Sequence, residues 1–157
     1  ICEGPWKEYP EKFGSDEFIT QKPKLFKNEF RAMAGGTKDI LRGVLDKREY
    51  PEFKKEYNLC GFHTDKSNFV VDFKMGLTKF GKGNNILVYA SKDISKINKL
   101  KAFEQEQTSK IGDYTQLTKK IGRLLGYPEC CIDFFLKVHS LPQPEISYNI
   151  LKNTKLI

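Results

Sequence analysis

The chain reads as a single α+β domain: a helical N-terminal third, a small antiparallel sheet, and C-terminal helices that meet in a tight helix-turn-helix corner. Three observations predict that class. Apolar residues recur at helical spacing between Leu25 and Leu45, two β-branched and aromatic runs follow at Phe69 to Phe73 and Ile86 to Tyr89, and helical spacing then returns from Ile94 to Val138. With 157 residues the chain is long enough for one hydrophobic core and short for two.

The elements follow in order. Residues 1–21 mix Pro, Gly, aromatic and charged residues without periodicity and read as an irregular arm, leaving 22–157 as the domain. From Lys24 to Ala34, Leu25, Phe26, Phe30 and Met33 share a helical face, and Gly35-Gly36 ends the run. Thr37 and Asp39 open a second helix carrying Ile40, Leu41, Val44 and Leu45, and Pro51 starts a third through Tyr57. The two apolar runs that follow are of strand length, and the Gly-, Lys- and Asn-rich stretch between them suits two or three paired antiparallel strands. Asp93 caps a helix through Ile94, Ile97, Leu100 and Phe103. Another runs from Asp113 through Leu125, with Gln116 completing a capping-box-like pair with Asp113 and Gly126 suited to the left-handed residue after its last turn.

Composition bounds the function classes. With 39% hydrophobic and 30% charged residues, and no apolar run near the roughly 18 residues that span a bilayer, the expectation is a globular protein without membrane contact. The opening "ICEGPWKEYP" lacks the basic-then-apolar order of a signal peptide, so a cytoplasmic location is expected unless a targeting segment has been trimmed ahead of Ile1. The net charge is +7, of which +5 falls in residues 81–157. An excess of that kind attracts nucleic acid or a small anionic ligand.

Four cysteines, Cys2, Cys60, Cys130 and Cys131, are too few for a disulfide-stapled mini-domain, which favours a reducing compartment. Cys130 and Cys131 make a poor disulfide with each other, because adjacent Cα atoms lie about 3.8 Å apart and ordinary bridges span roughly 4.4 to 6.8 Å. In "GRLLGYPECC", residues 122–131, Pro128 fits the first position of a new helix. Both thiols then occupy a first turn, where free backbone N–H groups and the helix dipole favour an anion. Cys131, Phe134, Phe135 and Val138 fall at i, i+3, i+4 and i+7, which assigns Cys131 to the apolar face and leaves Cys130 as the candidate thiolate.

The motif "GRLLGYPECCIDFF", residues 122–135, resembles the archaeal domain of unknown function 483 family, found especially in methanogens. The resemblance implies an archaeal, cytosolic protein. It marks Gly126, Tyr127, Pro128, Cys130 and Cys131 as signature positions and brings no catalytic roles with it.

Two function classes follow. In the first, a cysteine-centred site at the helix start is catalytic or ligand-binding: Cys130 would act with His63 as base, Asp65 or Asp72 would orient the ring, and Tyr127 and Arg123 would line the pocket with Cys131 beside them. His139 lies nine residues beyond Cys130 on the same helix, some 13 Å away at 1.5 Å per residue, and is better placed as a last-turn cation. The metal version of this reading is a zinc site in which Cys60 and His63, three positions apart, are joined by the adjacent Cys130 and Cys131 in a Cys3His set, or by Cys130 while its neighbour packs; an iron-sulfur cluster would have to enlist Cys2. In the second class the chain is a non-enzymatic module contacting RNA or DNA through Lys96, Lys99, Lys101, Lys110, Lys119, Lys120 and Arg123. Sequence-specific DNA reading is disfavoured, since the second helix of the corner carries Glu129, Asp133 and Phe135. "KFGKGNN", residues 79–85, offers glycine amides and lysines to a phosphate but fits no phosphate-loop pattern and reads as a hairpin loop.

Overall fold

The computed structural model of the chain describes residues 23–74, 77–80, 83–108 and 114–139. The arm at 1–21 and the expected capping pair at Asp113 lie outside them. The first helix, α1 (Lys27–Ala34), buries Ala32 and Met33. It is entered through Phe26, whose left-handed backbone (φ 54°) turns its ring over Gly43. A Cβ at Gly43 would stand 2.5 Å from that ring, so the close approach requires glycine there.

The stretch expected to form the second helix is a strand, β1 (Ile40–Asp46). Ile40, Leu41, Val44 and Leu45 suit either period because β1 packs on both faces: Leu41 and Leu45 enter one core cluster, Ile40 and Val44 the other. A strand covered on both sides loses the alternation that distinguishes it from a helix. Next comes α2 (Tyr50–Leu59), with Pro51 in its first turn and Phe53 and Tyr57 fully buried. The strands β2 (His63–Lys74), β3 (Leu77–Phe80) and β4 (Asn85–Ser91) complete a four-stranded sheet in the order β1-β4-β2-β3, with every neighbouring pair antiparallel. The α+β class therefore stands, with β1 added to the expected sheet.

Alternation along β4 divides the interior. Ile86, Val88 and Ala90 join Met33, Phe53, Tyr57 and Phe62 under α1 and α2. There Phe26, Phe30, Phe53, Tyr57 and Phe62 pack ring against ring at centroid distances of 4.5 to 6.1 Å. Leu87 and Tyr89 face the other side, with Val71, beneath α3 (Ile94–Thr108) and α4 (Tyr114–Leu124). Asp93 caps α3 as expected, its Oδ1 accepting from the Ser95 N–H at 2.8 Å.

The last described helix, α5 (Glu129–His139), packs on α4. The corner between them is closed by two bonds: the Gly126 N–H donates to Arg123 O and the Tyr127 N–H to Gly122 O, each at 3.0 Å, with Gly126 at φ 81°. This is the turn expected from the sequence. The apolar face of α5 is the expected one only at Val138. Ile132 and Val138 are its buried residues, Cys131 is half-buried, and Phe134 and Phe135 are 42% and 41% exposed. Ile132 dictates that rotation by seating against Gly122, where an added Cβ would meet Ile132 Cγ1 at 2.8 Å.

Candidate functional site

Sheet and helices separate the cysteines that sequence alone left open to joining. Cys60, at the end of α2, packs against the cluster beneath α1 and α2, whereas Cys130 and Cys131 ride on α5, beyond α4 on the other side of the sheet. His63 opens β2, exposed, beside Ser91 in the ladder. Among the described residues no group of three or more His, Cys, Asp or Glu is placed to hold a metal ion, so Cys60, His63 and Cys130 do not form the expected zinc set. Asp65, expected to orient His63, is bound instead by Lys101 at 2.6 Å. The side chains of Asp72 and His139 lie outside the described residues.

At the corner itself Cys130 is exposed and disulfide-bonded, while Cys131 and Cys60 are not in a disulfide. A sulfur in a disulfide is not a thiolate, which removes the nucleophile from the Cys130–His63 pairing in this state. Burial, and then the Glu56 charge, push the Cys60 thiol above its ordinary value. Arg123 holds Glu129, its Nη2 donating at 3.2 Å. That bond and its charge hold the Glu129 carboxyl below the usual range. Tyr127 is 53% exposed.

The lysine surface is likewise occupied. Lys96 pairs with Asp39, Lys101 with Asp65, Lys119 with Asp133 at 3.6 Å, and Arg123 with Glu129. Lys120 lies over the Phe103 ring at 5.6 Å from its centroid. Lys99 is exposed, and Lys110 lies outside the described residues. A cation already matched with an acid gains less from a phosphate.

A different set of residues forms a recess, between α3 and strands β2 and β4. Lys66 pairs with Val88 and Val70 with Ile86, so Ser67, Asn68 and Phe69 together oppose Leu87 in a bulge. The buried Ser67 hydroxyl repairs the interrupted ladder by accepting from the Leu87 N–H at 3.1 Å and donating to Phe69 O at 2.6 Å. Displaced in this way, Ser67, Asn68 and Phe69 line a recess of about 300 Å³ with Tyr89, Lys101, Ala102 and Gln105.

Behind the recess lies a closed polar network. Arg42, Tyr89 and Asp65 form one row across β1, β4 and β2, on the side facing α3. From α3, Glu104 accepts from the Tyr89 hydroxyl and from Arg42 Nε, and Lys101 donates to Asp65. Glu104 is 1% exposed. Burial, then the neighbouring Glu104 charge, raise the Tyr89 hydroxyl far above the ordinary phenol value, so Tyr89 is a fixed donor at neutral pH. No motif marks these residues, but one signal is present in the sequence. Glu104 stands seven positions after Ile97 and four after Leu100, on the buried stripe of α3, where an acid requires a partner.

No protein-family model, curated protein or solved structure matches the chain. No helix among the described residues is long and apolar enough to cross a membrane.

Proposed function

We propose that the chain is a small-ligand-binding domain that takes an anionic molecule with a flat apolar body in the recess between α3 and the bulge of β2. The observation that supports this reading is the recess lining: two aromatic side chains, Phe69 and Tyr89, with Lys101 as the charged residue among the described ones. Such a combination grips a ring by area and a carboxylate or phosphate by charge, and the volume lies at the small end of ligand pockets. Ser67 and Tyr89 have committed their hydroxyls to Phe69 O and Glu104, so the polar grip falls to the Lys101 ammonium and the exposed Asn68 amide. Lys101 is already steered by Asp65, which fixes the position of the ammonium and limits its attraction to one further anionic group.

Membership of the archaeal domain of unknown function 483 family belongs to the same proposal, supported by the motif at residues 122–135. The cysteine-centred reading loses ground because Cys130 is bonded, and the nucleic-acid reading because Lys96, Lys101 and Lys119 are matched with acids.

Backbone amide shifts measured during titration with benzoate, adenosine monophosphate and a short single-stranded RNA separate these readings. The proposal expects benzoate or the nucleotide to shift residues 67–69 and 101–105, with Lys101→Ala weakening binding by about tenfold or more. Shifts centred on Cys130 and Cys131 would return the site to the corner, and RNA binding that falls steeply with salt would favour the nucleic-acid module.

A further inference from the structure

Two ion pairs stand along one row of the sheet beneath α3. Glu104 holds Arg42, and Asp65 accepts from Lys101 at 2.6 Å. Asp65 is fixed from two sides, because its Oδ2 takes the Lys101 ammonium while its Oδ1 accepts from the Lys66 N–H at 2.8 Å. An anion that reaches Lys101 in the recess therefore meets a carboxylate already seated on the same ammonium, and that carboxylate loses two bonds if it swings aside. Lys66 brings no second cation from β2. Its side chain turns to the α2 side of the sheet and lies over the Tyr50 ring, 5.1 Å from the centroid.

One ammonium and one carboxylate thus set the charge felt by a ligand. Attraction to such a pair rises in proportion to the ligand's charge, whereas the hydration lost on entering rises with the square of that charge. A second negative charge costs more than it gains. Size agrees with charge: about 300 Å³ suits one ring with one acidic group rather than a base, a sugar and a phosphate together. With the recess reading as premise, we infer that the ligand is an aromatic monocarboxylic acid and that Asp65 is the residue that excludes aromatic dianions such as phosphate monoesters. One carboxylate oxygen takes the Lys101 ammonium, the other takes the exposed Asn68 amide, and the ring lies along Phe69 and Tyr89. Asp65 acts from behind the lining, through Lys101 and by its own charge.

Benzenesulfonate and phenylphosphonate share one shape, a ring bearing three oxygens on its acid group, and at about pH 8.5 they carry one and two charges. Both are titrated into the full chain beside benzoate, at that pH and constant ionic strength, with binding read from the amide shifts of residues 67–69 and 101–105. The phosphonate should bind about tenfold or more weakly than the sulfonate, and benzoate at least as tightly as the sulfonate. Asp65→Asn keeps an oxygen acceptor for Lys101 and removes the charge, and in it the phosphonate should gain about tenfold relative to the sulfonate. A merely structural defect lowers both affinities alike and leaves their ratio in place. Should the variant fail to fold, the ratio in the natural chain still tests the preference. Sulfonate and benzoate binding at these residues with the phosphonate equal or tighter overturns the inference and leaves the recess as the site. An unchanged ratio in folded Asp65→Asn overturns the role of Asp65. If none of the three shifts these residues, the recess reading falls and the inference with it.

Discussion

Glu104 of α3 takes the Tyr89 hydroxyl of β4 as a hydrogen-bond donor while it also holds Arg42 of β1, so one carboxylate clamps the helix to two strands. Glu104 is 1% exposed and the Arg42 side chain 24%, so water does little to replace either partner. Glu104→Ala leaves a mostly buried guanidinium and a buried hydroxyl unanswered and should destabilise the fold by about 2–4 kcal/mol. Glu104→Gln keeps an acceptor for Tyr89 and should cost about half as much. Urea unfolding of the two variants checks the order, and equal losses would mean that the charge carries the whole effect and the retained acceptor none.

Alkaline pH should expose the two buried phenols. Burial raises both Tyr57 and Tyr89 above the ordinary value, and nearby carboxylates, Glu29 and Glu56 for the former and Glu104 for the latter, add to it. Above about pH 10 the unfolded chain releases these protons and the folded chain keeps them. Stability from both groups is therefore complete below pH 10 and falls as pH rises, by about 1.4 kcal/mol per pH unit for each tyrosine. Tyr57→Phe also loses the bond from the Tyr57 hydroxyl to Leu25 O at 2.9 Å. Its unfolding free energy between pH 10 and 11.5 should start lower than that of the natural chain and decline less steeply by that amount.

At the acid end Asp46 titrates late. Arg48 donates to it from Nε at 2.9 Å, from Nη2 at 2.8 Å and from its backbone N–H at 2.9 Å, and these bonds lower the Asp46 carboxyl to about 2. Its contribution to stability is present above the ordinary aspartate range and disappears as pH falls through about 2. Carboxyl carbon shifts should follow that titration in the natural chain and move upward in Arg48→Ala. An Asp46 titration unchanged by that substitution would show that the side-chain bonds play no part.

The α4–α5 corner depends on a missing methyl group. Gly122→Ala drives a Cβ into Ile132 and should destabilise by about 1–3 kcal/mol, less whatever the helix gains from alanine. Removing Ile132 Cδ1, one of the two atoms in the way, with Ile132→Val should recover part of that loss in the double variant. A thermal-melt double-mutant cycle measures the coupling, and strict additivity would place the two residues apart.

Much of the architecture was legible because it rests on local signals. Gly126 after Leu125, Pro128 before α5, Asp93 before α3 and the Gly35-Gly36 stop each act within a few residues of themselves. Local spacing failed at Ile40 to Leu45, where burial on both faces hides the strand period, and at α5, where Ile132 rather than Cys131 and Phe134 turns inward. That rotation is set by a glycine on another helix, ten residues away, which no wheel drawn on α5 alone contains.

The sequence by itself determined the α+β class, the α4–α5 turn and the basic charge, since these depend on backbone preference, residue period and a count of side chains. Tertiary structure alone decided which groups meet. It put a sheet between Cys60 and the α5 cysteines, matched Lys96 with Asp39 just ahead of β1 and Lys101 with Asp65 of β2, and brought Arg42, Tyr89 and Glu104 together from three elements. The physical reason is range: caps and periods act over one or two turns, whereas a recess and its charge network arise where segments up to 62 residues apart are pressed together by burial of the core between them.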